Sequence, residues 1–206
     1  HSNLIAGRYA GFTNPLSSGV RTGKKLAEQS ACRRCHTLAK TGNCLASSLD
    51  GLLWNSTPEL IRAALANPAI FMPDFHFSSP DLDHLITAIL AGGLQADKPK
   101  QEQPQLIFFA TEGKQTQNVF VKQCGGCHKL LSRRDGGLGN GTSAPNLSGL
   151  LSSHYPASFE SDKRWDAERL KRWLKNPRAI RPQTLMRPVM LKPDELQELL
   201  RIMTVD

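Results

Sequence analysis

Two five-residue stretches hold most of the reactive side chains of this 206-residue chain: Cys32-Arg33-Arg34-Cys35-His36 and Cys124-Gly125-Gly126-Cys127-His128. Together they use four of five cysteines and two of six histidines. Four chemistries compete for a repeated Cys-x-x-Cys. A disulfide framework has no need of a histidine after each pair. A thioredoxin-like redox motif sits in a βαβ pattern, and no such strands are readable. Zinc accepts two such pairs, but 88 residues separate Cys35 from Cys124, and zinc does not ask for the trailing histidines. Covalent attachment of haem c uses the whole pattern. Two sulfurs three residues apart on one helical turn reach the two vinyl groups on one porphyrin edge. The next residue turns its imidazole under the iron, so His36 and His128 are expected as proximal ligands. The chain is thus expected to carry two covalently bound haem c groups with iron, through Cys32, Cys35, Cys124 and Cys127. Thioethers also withdraw these thiols from the disulfide chemistry of an oxidising compartment. Cys44 is left over; it reads as a small buried apolar residue, with an intermolecular disulfide as the alternative.

Iron with histidine on one face needs a second group, or an open site, on the other. Four methionines are available: Met72, Met186, Met190 and Met203. Met72 lies 36 residues after His36, and Met186 lies 58 after His128. Each follows an Asn-Pro step and precedes a helical pattern, and this matched position nominates both as axial ligands. His76 and Met190, four residues further on, are the alternatives. Met203 reads as core filling. His84, His154 and His1 read as solvated.

The elements that must position these residues also come in pairs. Pro58 to Met72 and Ala167 to Met186 are similar stretches, each an amphipathic helix stopped at Asn67-Pro68 or Asn176-Pro177, because proline disfavours helical geometry in the residue before it. Ala46 to Leu52 aligns with Ala144 to Leu150. Opening helices lead into both motifs. Closing helices begin near Pro80 and Pro193 and carry apolar stripes at Leu82, Leu85, Ile86 and Ile89, and at Leu196, Leu199, Leu200 and Met203. The expected plan is an arm over 1–18, a first domain over 19–91, a linker over 92–110 and a second domain over 111–206. Leu106 to Phe109 could be a short strand or a plug. Hydrophobic residues make up 39% of the chain, little for two independent cores, so each domain is expected to pack around its haem.

The formal charge is +8, divided as +2 over residues 1–103 and +6 over 104–206. Aromatics at 6% do not interleave with the basic residues, which argues against nucleic acid. An acidic redox protein steered to a haem edge is the expected partner. No apolar run is long enough to span a membrane, and an export signal is taken as already removed.

With these motifs in place, the chain resembles a tandem class I c-type cytochrome, similar in plan to the dihaem cytochromes of the c4 type. The resemblance covers roughly 19–91 and 111–203. It implies an all-α fold of two small helical domains, each wrapped around its haem. It implies single-electron transfer in the bacterial periplasm, between redox partners that include membrane-bound oxidoreductases, and no catalytic residues. It also implies that a carbonyl after each motif accepts a hydrogen bond from the proximal imidazole; Pro145 matches that position, and Ser47 replaces it in the first unit. Arg187 interrupts the usual Met-Pro step after Met186. The alternative function is a haem-containing oxidoreductase, or its dedicated cytochrome subunit of the peroxidase-like or sulfur-compound-oxidising kind, with one open or non-methionine distal site.

Overall fold

The computed structural model describes residues 9–97 and 117–205. The chain divides into two compact units, His1–Gln105 and Leu106–Asp206. Leu106 to Phe109, His1, most of the linker and the start of the second opening helix lie outside the described residues.

In the first unit, α1 (Ser18–Gln29) begins where the Ser17 hydroxyl accepts a hydrogen bond from the Val20 amide. A tight turn, Cys32–Arg34, carries the first haem motif, and β1 (Thr37–Leu38) pairs antiparallel with β2 (Thr41–Gly42). Two short helices follow, α2 (Leu52–Asn55) and α3 (Pro58–Ala66). Thr57 caps α3, Pro58 fits its first turn, and the helix stops at Asn67 because Pro68 comes next. The closing helix α4 (Ser79–Gly93) is buried without a break from Leu85 to Gly93. It packs against α1 at Gly23, where a Cβ atom would fall 1.8 Å from the His84 carbonyl oxygen. Glycine therefore sets the depth of that crossing. The first core gathers Leu38, Leu53, Ile61, Leu85, Ile86, Ile89 and Leu90, with Cys32 packed at its edge.

The second unit follows the same order. A short helix α5 (Val119–Gln123), capped by Asn118, leads into the second motif. A hairpin of β3 (Leu130–Ser132) and β4 (Gly136–Leu138) follows. Helix α6 (Ala167–Lys175), capped by Asp166, ends at Asn176, whose side chain then caps α7 (Pro177–Ile180). The closing helix α8 (Pro193–Met203) buries Leu199, Ile202 and Met203. Its core joins Phe120, Leu130, Leu138, Leu150, Leu170 and Leu174, and both Cys124 and Met186 pack against it.

Several expectations change. The fold is helix-rich rather than purely helical, because each unit carries a two-stranded hairpin. Gly92 and Gly93, assigned to the linker, are the last residues of α4. Within the described part of the arm, residues 9–13 are helical, Tyr9 is buried in the first core, and its hydroxyl donates to the Ser56 carbonyl at 3.1 Å. His84 is half-buried rather than solvated, with Nδ1 closed off from water and no hydrogen-bond partner. Its backbone and ring lie against α1, a contact that helix periodicity alone does not report. Cys44, expected in the core, is exposed.

Candidate haem sites

Each motif is wound so that its histidine amide returns to its first cysteine. The His36 amide donates to the Cys32 carbonyl at 3.1 Å, and the His128 amide to Cys124 at 2.9 Å. The Cys35 and Cys127 amides donate to the same two carbonyls. This turn holds the cysteine pair and the histidine in one short segment, as double attachment to one porphyrin edge requires. Burial raises the Cys32 thiol to about 11, against the opposing pull of Arg34, and raises Cys124 to about 11 with Cys127 adding to the effect. Thiols held neutral in this way are slow in disulfide exchange, which proceeds through the thiolate.

The imidazoles are oriented from behind. Nδ1 of His36 lies 2.7 Å from the Ser47 carbonyl oxygen, and Nδ1 of His128 lies 2.7 Å from that of Pro145. A carbonyl only accepts, so each Nδ1 carries the proton and donates. That fixes the tautomer and leaves Nε2 with the lone pair an iron would take. Burial lowers the His36 pKa from its ordinary 6.5, and the bond to Ser47 opposes the shift only in part.

The two proximal loops share more than this bond. The residue after each histidine accepts from an amide in the following loop: Leu49 donates to Thr37 at 2.9 Å, and Leu147 to Lys129 at 2.8 Å. Ala46 donates to Cys35, and Ala144 to Cys127. The third amide after each histidine is capped by a side chain on that loop. Asp50 accepts from Ala39 at 2.6 Å, and Ser148 accepts from Leu131 at 2.8 Å. Sequence reading did not single out Asp50 or Ser148. Their signal was present in the alignment of Ala46–Leu52 with Ala144–Leu150, where they occupy the same column.

On the distal candidates the units differ. Met186 is half-buried, and the Trp173 indole N–H donates to its sulfur at 2.8 Å. Met190 is 78% exposed. Met72 is half-buried, with its amide donating to Ala69. His76 sits in the left-handed region at φ 50°, its ring 86% exposed and paired with Asp74 at 3.2 Å. Arg33, adjacent to the first sulfur, directs its guanidinium fork onto the Leu38 carbonyl at 3.2 and 3.1 Å.

The insertion of the second unit is clamped down. Arg164 donates to the Ser153 carbonyl and Arg181 to that of Ser158. Arg172 pairs with Glu160 at 3.1 Å and lies over Phe159. Trp165 meets both Phe159 and Trp173 edge-on, at 5.0 and 5.7 Å between ring centroids. The insertion thus backs the tryptophan that holds Met186. His154 is half-buried within it, and among the described residues no cluster of three or more His, Cys, Asp or Glu could hold a metal ion.

Residues 111–201 match the cytochrome c family. A cytochrome c domain carries covalently bound haem c with iron and serves haem-based electron transfer. The second motif, the oriented His128 and the half-buried Met186 all lie within the matched span. No curated protein and no solved structure matches the chain.

Proposed function

We propose that the chain is a dihaem electron carrier of the tandem class I type, with a second cytochrome c domain in its first unit. One observation carries this reading: the first unit repeats four of the hydrogen bonds that follow the haem motif in the matched second unit, those of the imidazole Nδ1, of the residue after the histidine, of the second cysteine's carbonyl and of the third amide. Cys32 and Cys35 attach one haem, and Cys124 and Cys127 the other. His36 and His128 supply the proximal nitrogens, held by Ser47 and Pro145. Met72 and Met186 supply the distal sulfurs. His76, facing solvent and Asp74, and the exposed Met190 are poorly placed to compete. Iron in such a site exchanges one electron between ferric and ferrous forms. The protein's part is to keep both axial groups in place in both oxidation states, which limits reorganisation.

The partner reading rests on the second unit's surface. Lys171, Lys175, Arg178 and Arg187 are exposed and make no ion pair among the described residues. Leu185 and Met190 stand exposed beside Arg187. Unpaired exposed cations and exposed apolar side chains on this unit suit an acidic redox protein, with association slowed by salt. No helix among the described residues is long and apolar enough to cross a membrane. Export to the bacterial periplasm and exchange with membrane-bound oxidoreductases complete the proposal.

Haem counting tests it. Alkaline pyridine spectra and intact mass should give two covalent haems per chain, and the near-infrared thioether-to-iron band should appear at two equivalents. One haem per chain would reduce the protein to a single cytochrome c domain. Rapid cyanide binding to one haem would favour the oxidoreductase alternative.

A further inference from the structure

In the first unit a buried carboxylate occupies a position that the second unit fills with a neutral hydroxyl. Asp50 is 8% exposed, and its two oxygens accept from the Ala39 and Lys40 amides at 2.6 and 2.9 Å. No cation pairs with it among the described residues. Lys40 contributes only its backbone amide there, because its ammonium reaches out to Asp97 at 3.2 Å. Ser148, fully buried, caps the equivalent amide of the second loop with no charge at all. The second unit thus holds the amide equivalent to Ala39 without an anion, whereas in the first unit the second carboxylate oxygen also takes the Lys40 amide. The two amides offset part of the cost of burying this charge, and no cation among the described residues neutralises it, so its field acts on the surrounding loop.

The loop that bears Asp50 also bears the Ser47 carbonyl that receives the His36 Nδ1 proton. We propose that Asp50 is a positioning residue for the first haem that also sets its reduction potential, holding it below the value the same site would have with a neutral cap. The step concerned is one-electron reduction of ferric to ferrous iron, the electron coming from the redox partner. A ferric centre carries one more positive charge than a ferrous one, so a nearby fixed anion favours the oxidised form. Water screens a buried anion less than it screens the surface lysines and arginines. The inference rests on the reading that the first unit carries a haem.

The test uses the full chain with its haems. Asp50→Asn keeps an acceptor and removes the charge; Ser148→Asp supplies the reciprocal change if the first variant folds poorly. Spectroelectrochemical titration should resolve two one-electron steps. In Asp50→Asn one step should move upward, and the other should stay. The expected shift is about tenfold in the reduced-to-oxidised ratio at fixed applied potential, or about 59 mV for one electron. In Ser148→Asp the other step should move downward. Stability that falls while both steps stay in place would reduce Asp50 to a structural cap and overturn the proposal. A single haem per chain, counted beforehand, would instead strike down the dihaem reading on which it stands.

Discussion

Behind His36 and His128 the loops run parallel: a carbonyl on Nδ1, an amide returned to the next residue, a side-chain cap on the third amide. Around the two candidate distal methionines they do not. Met186 receives an indole N–H from Trp173, while the aligned residue on α3 is Ala64. The second unit braces that tryptophan with an arginine-clamped insertion, which the first unit lacks. In the dihaem reading proposed above, attachment would constrain the proximal side tightly, since both sulfurs and one nitrogen would have to meet a rigid ring. The distal side needs only one soft donor at the right depth, so the protein around it can diverge.

Three perturbations would break or sharpen this contrast. The largest effect is expected in the first unit, where α1 and α4 cross at Gly23. A methyl there meets backbone at 1.8 Å, and Gly23→Ala should cost about 3 kcal/mol, the upper end for overpacking. Gly19→Ala, whose Cβ would meet only side chains at ordinary contact distance, those of His84, Thr87 and Ser17 at 3.5–3.8 Å, should be neutral or slightly stabilising. Denaturant titrations of the two variants compare them directly; equal losses would mean that the crossing is not set by Gly23.

Acid should come next. The folded chain depresses the His36 pKa below the ordinary 6.5, so the unfolded chain binds the proton first. The associated stability is present above 6.5 and lost as pH falls toward the depressed value. Binding of Nε2 to iron would push the loss to still lower pH. Circular dichroism and haem absorbance followed on acidification would show this, and first-unit stability that rises on acidification would contradict it.

The smallest effect belongs to Trp173→Phe, which keeps the packing and removes the donor. It should cost about 0.5–1.5 kcal/mol and weaken the thioether band of one haem only. If both bands weaken equally, the bond does not distinguish the units.

Much of this was readable from the chain because it is local. Each Cys-x-x-Cys-His winds into one turn within five residues, the histidine amide returning to the first cysteine. Asn67-Pro68 and Asn176-Pro177 end their helices because proline restricts the residue before it, and Pro80 and Pro193 open the closing helices because a first-turn proline has no amide to lose. The aligned loop segments already placed Asp50 and Ser148 in one column, but not on one amide.

What the linear order left open depended on which distant surfaces meet. Cys44 faces solvent although its type favours the interior, and His84 is half-covered although its neighbours are polar; helix and loop packing decided both. Tyr9 enters the first core only because residues 9–13 fold back to Ser56. Met186 and Met190 look equivalent as letters, yet only one reaches an indole thirteen residues upstream, and that selection is made by the packing of α6 against the methionine segment. Covalent pattern is a property of neighbours in sequence; burial, capping across loops and the company of a sulfur atom are properties of neighbours in space.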